Sequence, residues 1–374
     1  MSVCIIGAGA SGCICAYYLL KSGIEVTLFD ISAPLRTLLP TGGGRCNLAH
    51  AEYDFKELAK NYPRGEKFLY SVFSKFSTYD TISLFEEIGV ETYTQDDGRI
   101  FPKSNSAKEV REKILCAINN ANINKEGVNE ILPCGSGFKI KTNNAEYYFD
   151  KVVIATGGLR NNLIKGLNQP VTEIKPSLVG LKCEIKSLSG VVLQNVFSID
   201  CNIEGDILFT HFGVSGPLIY KISSVKAFEK YPYDLTFDLY RKDFDLQNLL
   251  DTNPHKEFKN ILSAFFPHRF SEYITGEFAK RKGHAIDGKT RDKILDKIHN
   301  FKINIEGTDK GEETVTAGGY DLDYIYPKTM ESKIYKGLYI IGEVLNIDGF
   351  CGGFNLQNAW STGFVAAEGI KSSD

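Results

Sequence analysis

Apolar positions along the chain fall into three patterns, and their order predicts the architecture. Val3-Cys4-Ile5-Ile6 is a short, wholly apolar run of the kind buried on both faces, and Cys13 to Lys21 carries Ile14, Ala16, Tyr17, Leu19 and Leu20 at helical spacing. Gly23 stops that helix, and Ile24 to Phe29 forms a second apolar run closed by Asp30, so the chain opens as strand, helix, strand. Buried-strand runs return at Lys151 to Gly158, ending in small residues, and at Gly337 to Leu345, ending in a glycine and an acid. Ahead of the first of these the spacing predicts an amphipathic helix over Phe68 to Glu87, a helix over Ala107 to Asn120 capped by Ser106, and short strands at Glu91 to Tyr93, Val128 to Leu132, Gly137 to Thr142 and Tyr147 to Phe149.

From about Thr172 the period changes. Val179 to Ile185, Val191 to Val196, Phe197 to Ile203 and Asp206 to Phe209 alternate like antiparallel strands. Phe244 to Leu250, Lys256 to Phe266 and Arg291 to His299 read as helices, and Phe301 to Ile305 returns to strand. A closing helix runs from near Gly353 to about Ile370. The expected organisation is one α/β domain built from residues 1–171 and 314–374, interrupted by a domain at 172–313 that mixes strands and helices.

The glycines say what the α/β domain holds. Gly7-Ala8-Gly9-Ala10-Ser11-Gly12 lies between the first strand and the first helix. In such a turn Gly7 bends the chain, Gly9 lets a pyrophosphate reach the backbone and Gly12 lets helix and sheet pack closely. The helix starting near Ala10 offers free N–H groups to the phosphates, and Asp30 is placed to accept from the ribose hydroxyls. Gly42-Gly43-Gly44 is a second close-approach loop, with Arg45, Cys46 and Asn47 directly behind it. Ala155-Thr156-Gly157 ends one buried strand and Gly342-Glu343 another, while Gly352 and Gly353 precede Asn355 and Leu356 at the head of the closing helix. A simple NAD dehydrogenase has no need of Ala155-Thr156-Gly157 or of a last strand ending in Gly342-Glu343. A two-part FAD site uses both, Glu343 accepting from ribityl hydroxyls and the closing helix aiming its N–H groups at the flavin edge where negative charge develops on reduction. Val128 joins the cofactor set.

Composition narrows the setting. Over 374 residues, 43% hydrophobic and 24% charged residues describe an ordinary globular protein, and a net charge of -3 leaves no electrostatic footprint for nucleic acid or a membrane surface. The local basic cluster Lys280-Arg281-Lys282 with Lys289, Arg291 and Lys293 reads as a solvated helical face. Nine cysteines without CxxC spacing point to reduced thiols in the cytoplasm, and six dispersed histidines predict no metal site. A strand beginning at Val3 leaves no room for a secretion leader, and no apolar run approaches a membrane span.

Taken together, Gly7–Gly12, Gly42 to Asn47, Gly98 to Pro102, Ile154 to Gly158, Leu208 to Pro217, Thr316 to Gly319, Pro327 to Lys333 and Gly342 to Trp360 resemble the bacterial BaiN-type flavoproteins, which include the aminoacetone oxidases. The resemblance covers essentially the whole chain. It implies a discontinuous Rossmann-like FAD-binding domain, an inserted β-barrel-plus-helical domain, and bound FAD. Members are known as NAD(P)/FAD-dependent oxidoreductases, among them amine oxidases and reductases of steroid-like enones. One departure follows Gly158, where members continue into a longer loop rich in Ser, Pro, Thr and Gly. This chain has Leu159-Arg160-Asn161-Asn162 and moves quickly to Pro176.

Flavin carries the hard chemistry, so few catalytic residues are expected. His211, in a loop that the resemblance places towards the cofactor, is a candidate to bind or protonate a small-molecule substrate. Cys46 and Cys351 would form a redox dithiol if both flanked one flavin, against a plainer reading as small apolar fillers. Arg45 and Lys328 are candidates to hold an anionic substrate or nicotinamide phosphates. With no second nucleotide fingerprint, NAD(P)H would act only as a transient co-substrate, and O₂ is an equally open electron acceptor. The rival class is a non-catalytic flavin-bound module that senses redox state or associates with tRNA, against which the near-neutral charge argues.

Overall fold

The structure is a computed structural model that describes residues 1–158, 164–242, 244–309 and 315–373. Leu159 to Asn162, where the chain departs from the family loop, and Thr314 lie outside the described residues. The chain divides into two compact units, Met1–Lys175 with Val315–Asp374, and Pro176–Thr314.

In the first unit five strands form a parallel sheet in the order Leu338–Ile340, Lys151–Ile154, Ser2–Ile6, Glu25–Phe29, Asn122–Asn124. Its register sets Ile6 level with both Ile154 and Phe29, and Ile154 level with Ile340, so the apolar runs end together at one carboxyl edge. The runs are apolar because the sheet is covered on both faces: Val3, Cys4, Ile5, Val152, Val153, Leu338 and Ile340 are fully buried. The first helix, Ala10–Lys21, packs along the closing helix, Phe354–Lys371. Gly363 makes that approach possible, since a Cβ there would come within 2.6 Å of the Ser11 carbonyl oxygen.

Where the sequence pattern differs from the fold, the reason is local. The helix expected over Phe68 to Glu87 is two helices, Glu66–Phe73 and Thr78–Glu87, because Ser77 and Asp80 form a capping box that starts the second afresh. The edge strand Asn122–Asn124 is too short and polar to show in a hydrophobic pattern; it exists by pairing with Thr27, Leu28 and Phe29. Val128 precedes its expected strand, which runs Glu130–Cys134. The run from Gly337 is a strand only over Leu338–Ile340, since Gly342 at φ +77° turns the chain into a short 3-10 turn, Gly342–Val344. The strand Val171–Ser177 pairs with Val315–Tyr320, which carries the first unit on to Lys175.

The second unit is built on a seven-stranded sheet in the order Phe301–Ile305, Tyr233–Asp238, Val192–Ser198, Ile203–Phe209, Gly213–Ser215, Leu181–Lys182, Gly307–Thr308. Its two edge strands are separated in sequence by Glu306 alone, so the sheet must curl back on itself into a nearly closed barrel. Val191 to Ile203, expected as two strands, is one strand with a register shift between Leu193 and Val196, followed by a turn through Asn202 at φ +55°. The helices Leu246–Thr252, Phe258–Leu262 and Gly288–His299 answer to the expected ones, whereas Pro217–Val225, His268–Thr275 and the strand Tyr233–Asp238 were not foreseen. Arg281 and Lys293 of the basic cluster lie over the Phe278 ring, 4.6 and 5.6 Å from its centroid, and Arg291 pairs with Asp292, as a structural surface would. Among the described residues no helix is long and apolar enough to cross a membrane.

Candidate functional site

At the carboxyl edge of the parallel sheet the three fingerprint glycines take different duties. A Cβ on Gly7, at φ +107°, would overlap the Ala155 carbonyl, and one on Gly12 would overlap the Gly7 carbonyl and lie 3.3 Å from the Ala155 side chain. These two positions are packed shut. A Cβ on Gly9 would meet nothing within 4 Å, so this glycine borders open space. Gly9 is also the N-cap of the first helix, with no side chain bonding to the helix start and no acid in its first turn. The free N–H groups and positive helix end therefore face outward from Ala10 and Ser11, which is what an anion requires. Asp30 fastens this turn: one carboxylate oxygen accepts from the Ala8 N–H at 2.7 Å, the other from the Ser32 N–H at 2.7 Å and its hydroxyl at 2.8 Å.

Neighbouring strand ends complete this half. Ala155 is buried against Gly7 and Gly12, Thr156 is exposed, and Gly157, at φ +74°, again has open space where a Cβ would stand. A Cβ on Gly342 would overlap the Ser11 hydroxyl, and the Gly342 N–H donates to the Thr362 hydroxyl at 3.0 Å, so the last strand seats on both helices. Glu343 accepts from the Thr316 N–H at 3.1 Å and its hydroxyl at 3.3 Å, which gives the carboxylate a structural duty beside Gly158. Val128 is half-buried in the loop that follows the edge strand.

A second cluster surrounds the start of the closing helix. Gly42, Gly43 and Gly44 all have left-handed backbone, and Cβ atoms on Gly43 and Gly44 would meet nothing within 4 Å. Arg45 folds back over the Phe101 ring at 4.1 Å and donates from Nε to the Gly42 carbonyl at 3.3 Å. Asn47 is 8% exposed, and its buried side-chain oxygen has no hydrogen-bond partner among the described residues. Gly353 caps the closing helix at φ +101°, again without side-chain capping or an acid in the first turn. A Cβ on it would come 2.5 Å from the backbone of Ala49. Asn355 bonds to Gly349 through both ends of its amide, at 2.8 Å each, so it buckles the preceding loop; Leu356 is half-buried beside it. The loop is also tied by the ion pair of Arg64 with the fully buried Asp348.

The two clusters are connected by the closing helix itself. Gly363, beside Ser11, lies nine residues beyond Phe354 (354 to 363), which places the two uncapped helix starts about 14 Å apart along the axis at ~1.5 Å per residue. An extended dinucleotide spans such a separation.

The other candidates stand differently. Burial pushes the Cys46 thiol up to about 12, with a hydrogen bond to Thr41 opposing the shift, while Cys351 is exposed; neither is in a disulfide. A thiol held protonated is a poor nucleophile. His211 sits in the second unit at the exposed tip of the turn from Thr210 to Gly213, its ring edge-on to Phe212 at 5.3 Å. Lys328 is exposed, and its carbonyl accepts from the Lys75 ammonium at 2.7 Å. Sequence reasoning missed His50, which lies against Gly352 and Phe354. No periodicity or glycine signature marks it.

A model of the HI0933-like protein Rossmann domain matches residues 1–369. The chain belongs to that family. The family is one of FAD-dependent oxidoreductases, and this HI0933-like protein is one of them. It is 29% identical to a protein of Haemophilus influenzae named ribosomal RNA dihydrouridine synthase, over 98% of both chains, and 25% identical to the 3-dehydro-bile acid delta(4,6)-reductase of Clostridium scindens, over 97% of both. Among solved structures, the 3-ketosteroid delta1-dehydrogenase of Sterolibacterium denitrificans aligns with a TM-score of 0.51 at 11% identity, covering 100% of this chain and 99% of that one, a likeness of fold. The residues present fit FAD: open space at Gly9, Gly43, Gly44 and Gly157, two uncapped helix starts, and a buried acceptor on Asn47 awaiting a donor.

Proposed function

We propose that this HI0933-like protein is an FAD-dependent reductase of a carbon–carbon double bond conjugated to a carbonyl, with NAD(P)H as its transient electron donor. The observation that carries the reading is the uncapped start of the closing helix at Gly353, tied through Gly363 and Ser11 to the uncapped start of the first helix. Gly9, Ala10 and Ser11 would receive the pyrophosphate, Gly43 and Gly44 would admit the cofactor close to the backbone, and Asn47 would accept from it. When bound, the flavin supplies hydride exchange at N5. The closing helix adds an electropositive end where negative charge gathers on reduction.

Three further considerations narrow the chemistry. The activities named for the two relatives both saturate carbon–carbon double bonds beside a carbonyl, one in a uracil ring and one in a steroid. Burial that holds the Cys46 thiol protonated makes it a poor attacking group, which counts against a dithiol reading. A net charge of -3 favours a free small molecule over a bond carried in RNA.

The test is anaerobic. NADH and NADPH are added in turn to the flavin-loaded protein, and the reduced protein is then offered a 4-en-3-one steroid, a uridine-containing ribosomal RNA fragment, or oxygen. Bleaching by a nicotinamide followed by reoxidation with a conjugated double bond is the expected result. Reduction by an amine, with no response to either nicotinamide, would make the protein an oxidase and overturn the reading.

A further inference from the structure

The segment behind the glycine loop, Leu48-Ala49-His50, grips the start of the closing helix at three points. Trp360 Nε1 donates to the Leu48 carbonyl at 2.9 Å, and the Ala49 backbone lies against Gly353. The His50 ring stacks on Phe354, with centroids 4.8 Å apart and planes 28° apart, while its Nδ1 lies 3.2 Å from the Gly352 carbonyl oxygen. A carbonyl only accepts, so this contact assigns the proton to Nδ1. On the opposite side Gly98 leaves just enough room, since a Cβ there would come within 2.6 Å of Nε2. The imidazole is thus fixed from both sides.

What it holds is a glycine pair with little steric constraint of its own. Gly352 and Gly353 have φ of +130° and +101°, and each glycine loses more backbone freedom on ordering than any other residue. In a trans peptide the carbonyl and the next N–H point in opposite directions. Anchoring the Gly352 oxygen on His50 therefore fixes the direction of the Gly353 N–H, the first donor of the uncapped helix start. Drawing on the carbonyl also polarises that same peptide and strengthens its N–H as a donor.

We infer that His50 is a positioning residue for the flavin edge: by fixing the Gly352–Gly353 peptide it sets how strongly the closing helix stabilises negative charge on the reduced ring. The inference rests on the FAD reading above, and its test separates the two. The two-electron midpoint potential of bound FAD is measured at saturating FAD in the wild-type protein, in His50→Phe and in His50→Asn, alongside the FAD dissociation constant and the melting temperature. His50→Phe keeps the ring on Phe354 and loses the donor; His50→Asn keeps a donor and loses the ring.

In His50→Phe, FAD remains bound through the distant pyrophosphate end, and the oxidised-to-reduced ratio shifts about tenfold towards oxidised, a fall of roughly 30 mV for a two-electron couple. His50→Asn recovers at least half of that fall. An unchanged potential in His50→Phe, or equal falls in both variants, would reduce His50 to a packing residue and overturn the inference. Should His50→Phe not fold, His50→Ala with and without added imidazole replaces it; restoration by imidazole supports the inference and no response overturns it. A wild-type protein that takes up no FAD sinks the cofactor reading instead.

Discussion

Replacing Gly9 by Val separates the glycine that admits a ligand from the glycines that merely pack. The backbone at Gly9, φ -83° and ψ -167°, is extended and open to any residue, and a Cβ there meets no protein atom within 4 Å. Native stability should therefore change by no more than about 1 kcal/mol. If the pyrophosphate rests on the helix start, the branched side chain displaces it from two charge-assisted N–H bonds, each worth roughly 1.5–3 kcal/mol. The loss of about 3–6 kcal/mol weakens FAD binding roughly 10²- to 10⁴-fold. Gly12→Val is the control with the opposite profile, because its Cβ would overlap the Gly7 carbonyl inside the packed strand–helix junction, costing about 1–3 kcal/mol or more of stability. The assay pairs thermal melting of the apo-proteins with titration of FAD by quenching of its fluorescence. A Gly9→Val protein that binds FAD within about threefold of wild type, well under one tenfold step of 1.4 kcal/mol, would refute the reasoning. So would one that melts as low as Gly12→Val.

Two other perturbations test the same frame. The buried, unpartnered oxygen of Asn47 costs the apo-protein about 1–3 kcal/mol, so Asn47→Leu should hold or raise the apo melting temperature while weakening FAD binding about tenfold; a lowered melting temperature with unchanged affinity would mean that the oxygen serves the protein alone. Burial raises Cys4, Cys13 and Cys15 well above the ordinary thiol range and Cys46 to about 12, so the folded state favours the neutral thiols. Their contribution is complete below the unfolded thiol value of about 8.5 and is lost as pH rises from there towards the folded values, so the urea midpoint should fall above about pH 9. Rapid labelling of the native protein should reach the exposed Cys116, Cys134 and Cys351, and labelling of Cys46 before unfolding would contradict its burial.

What the sequence disclosed about the site is what glycine can disclose. Gly7, Gly12 and Gly353 are each pressed against backbone that no larger residue would clear, so their spacing between an apolar run and a helix already carries the geometry. Choices between partners were not visible. An acid or amide in such a pattern does not show its protein partners: Glu343 accepts from the N–H of Thr316 through one carboxylate oxygen, and the Asn355 amide bonds to Gly349. The break between Glu66–Phe73 and Thr78–Glu87 had its signal in Ser77 and Asp80, but apolar spacing ran across it and concealed it. His50 is set by a contact with Gly352, far along the chain, and local pattern holds no trace of such a partner.

The way the chain leaves and re-enters the first unit explains why the glycine positions are so legible in the sequence. The chain leaves the first unit through Val171–Ser177 and returns through Val315–Tyr320, and these strands pair with each other, Gly318 pressing so closely on Glu173 that a Cβ would overlap its carbonyl. Exit and return are thus closed within the first unit, and the parallel sheet, both helix starts and the glycine loop are complete without any residue between Pro176 and Thr314. Substitutions in the second unit are then free of the packing that fixes Gly7, Gly12 and Gly353, while substitutions at those glycines are not free at all.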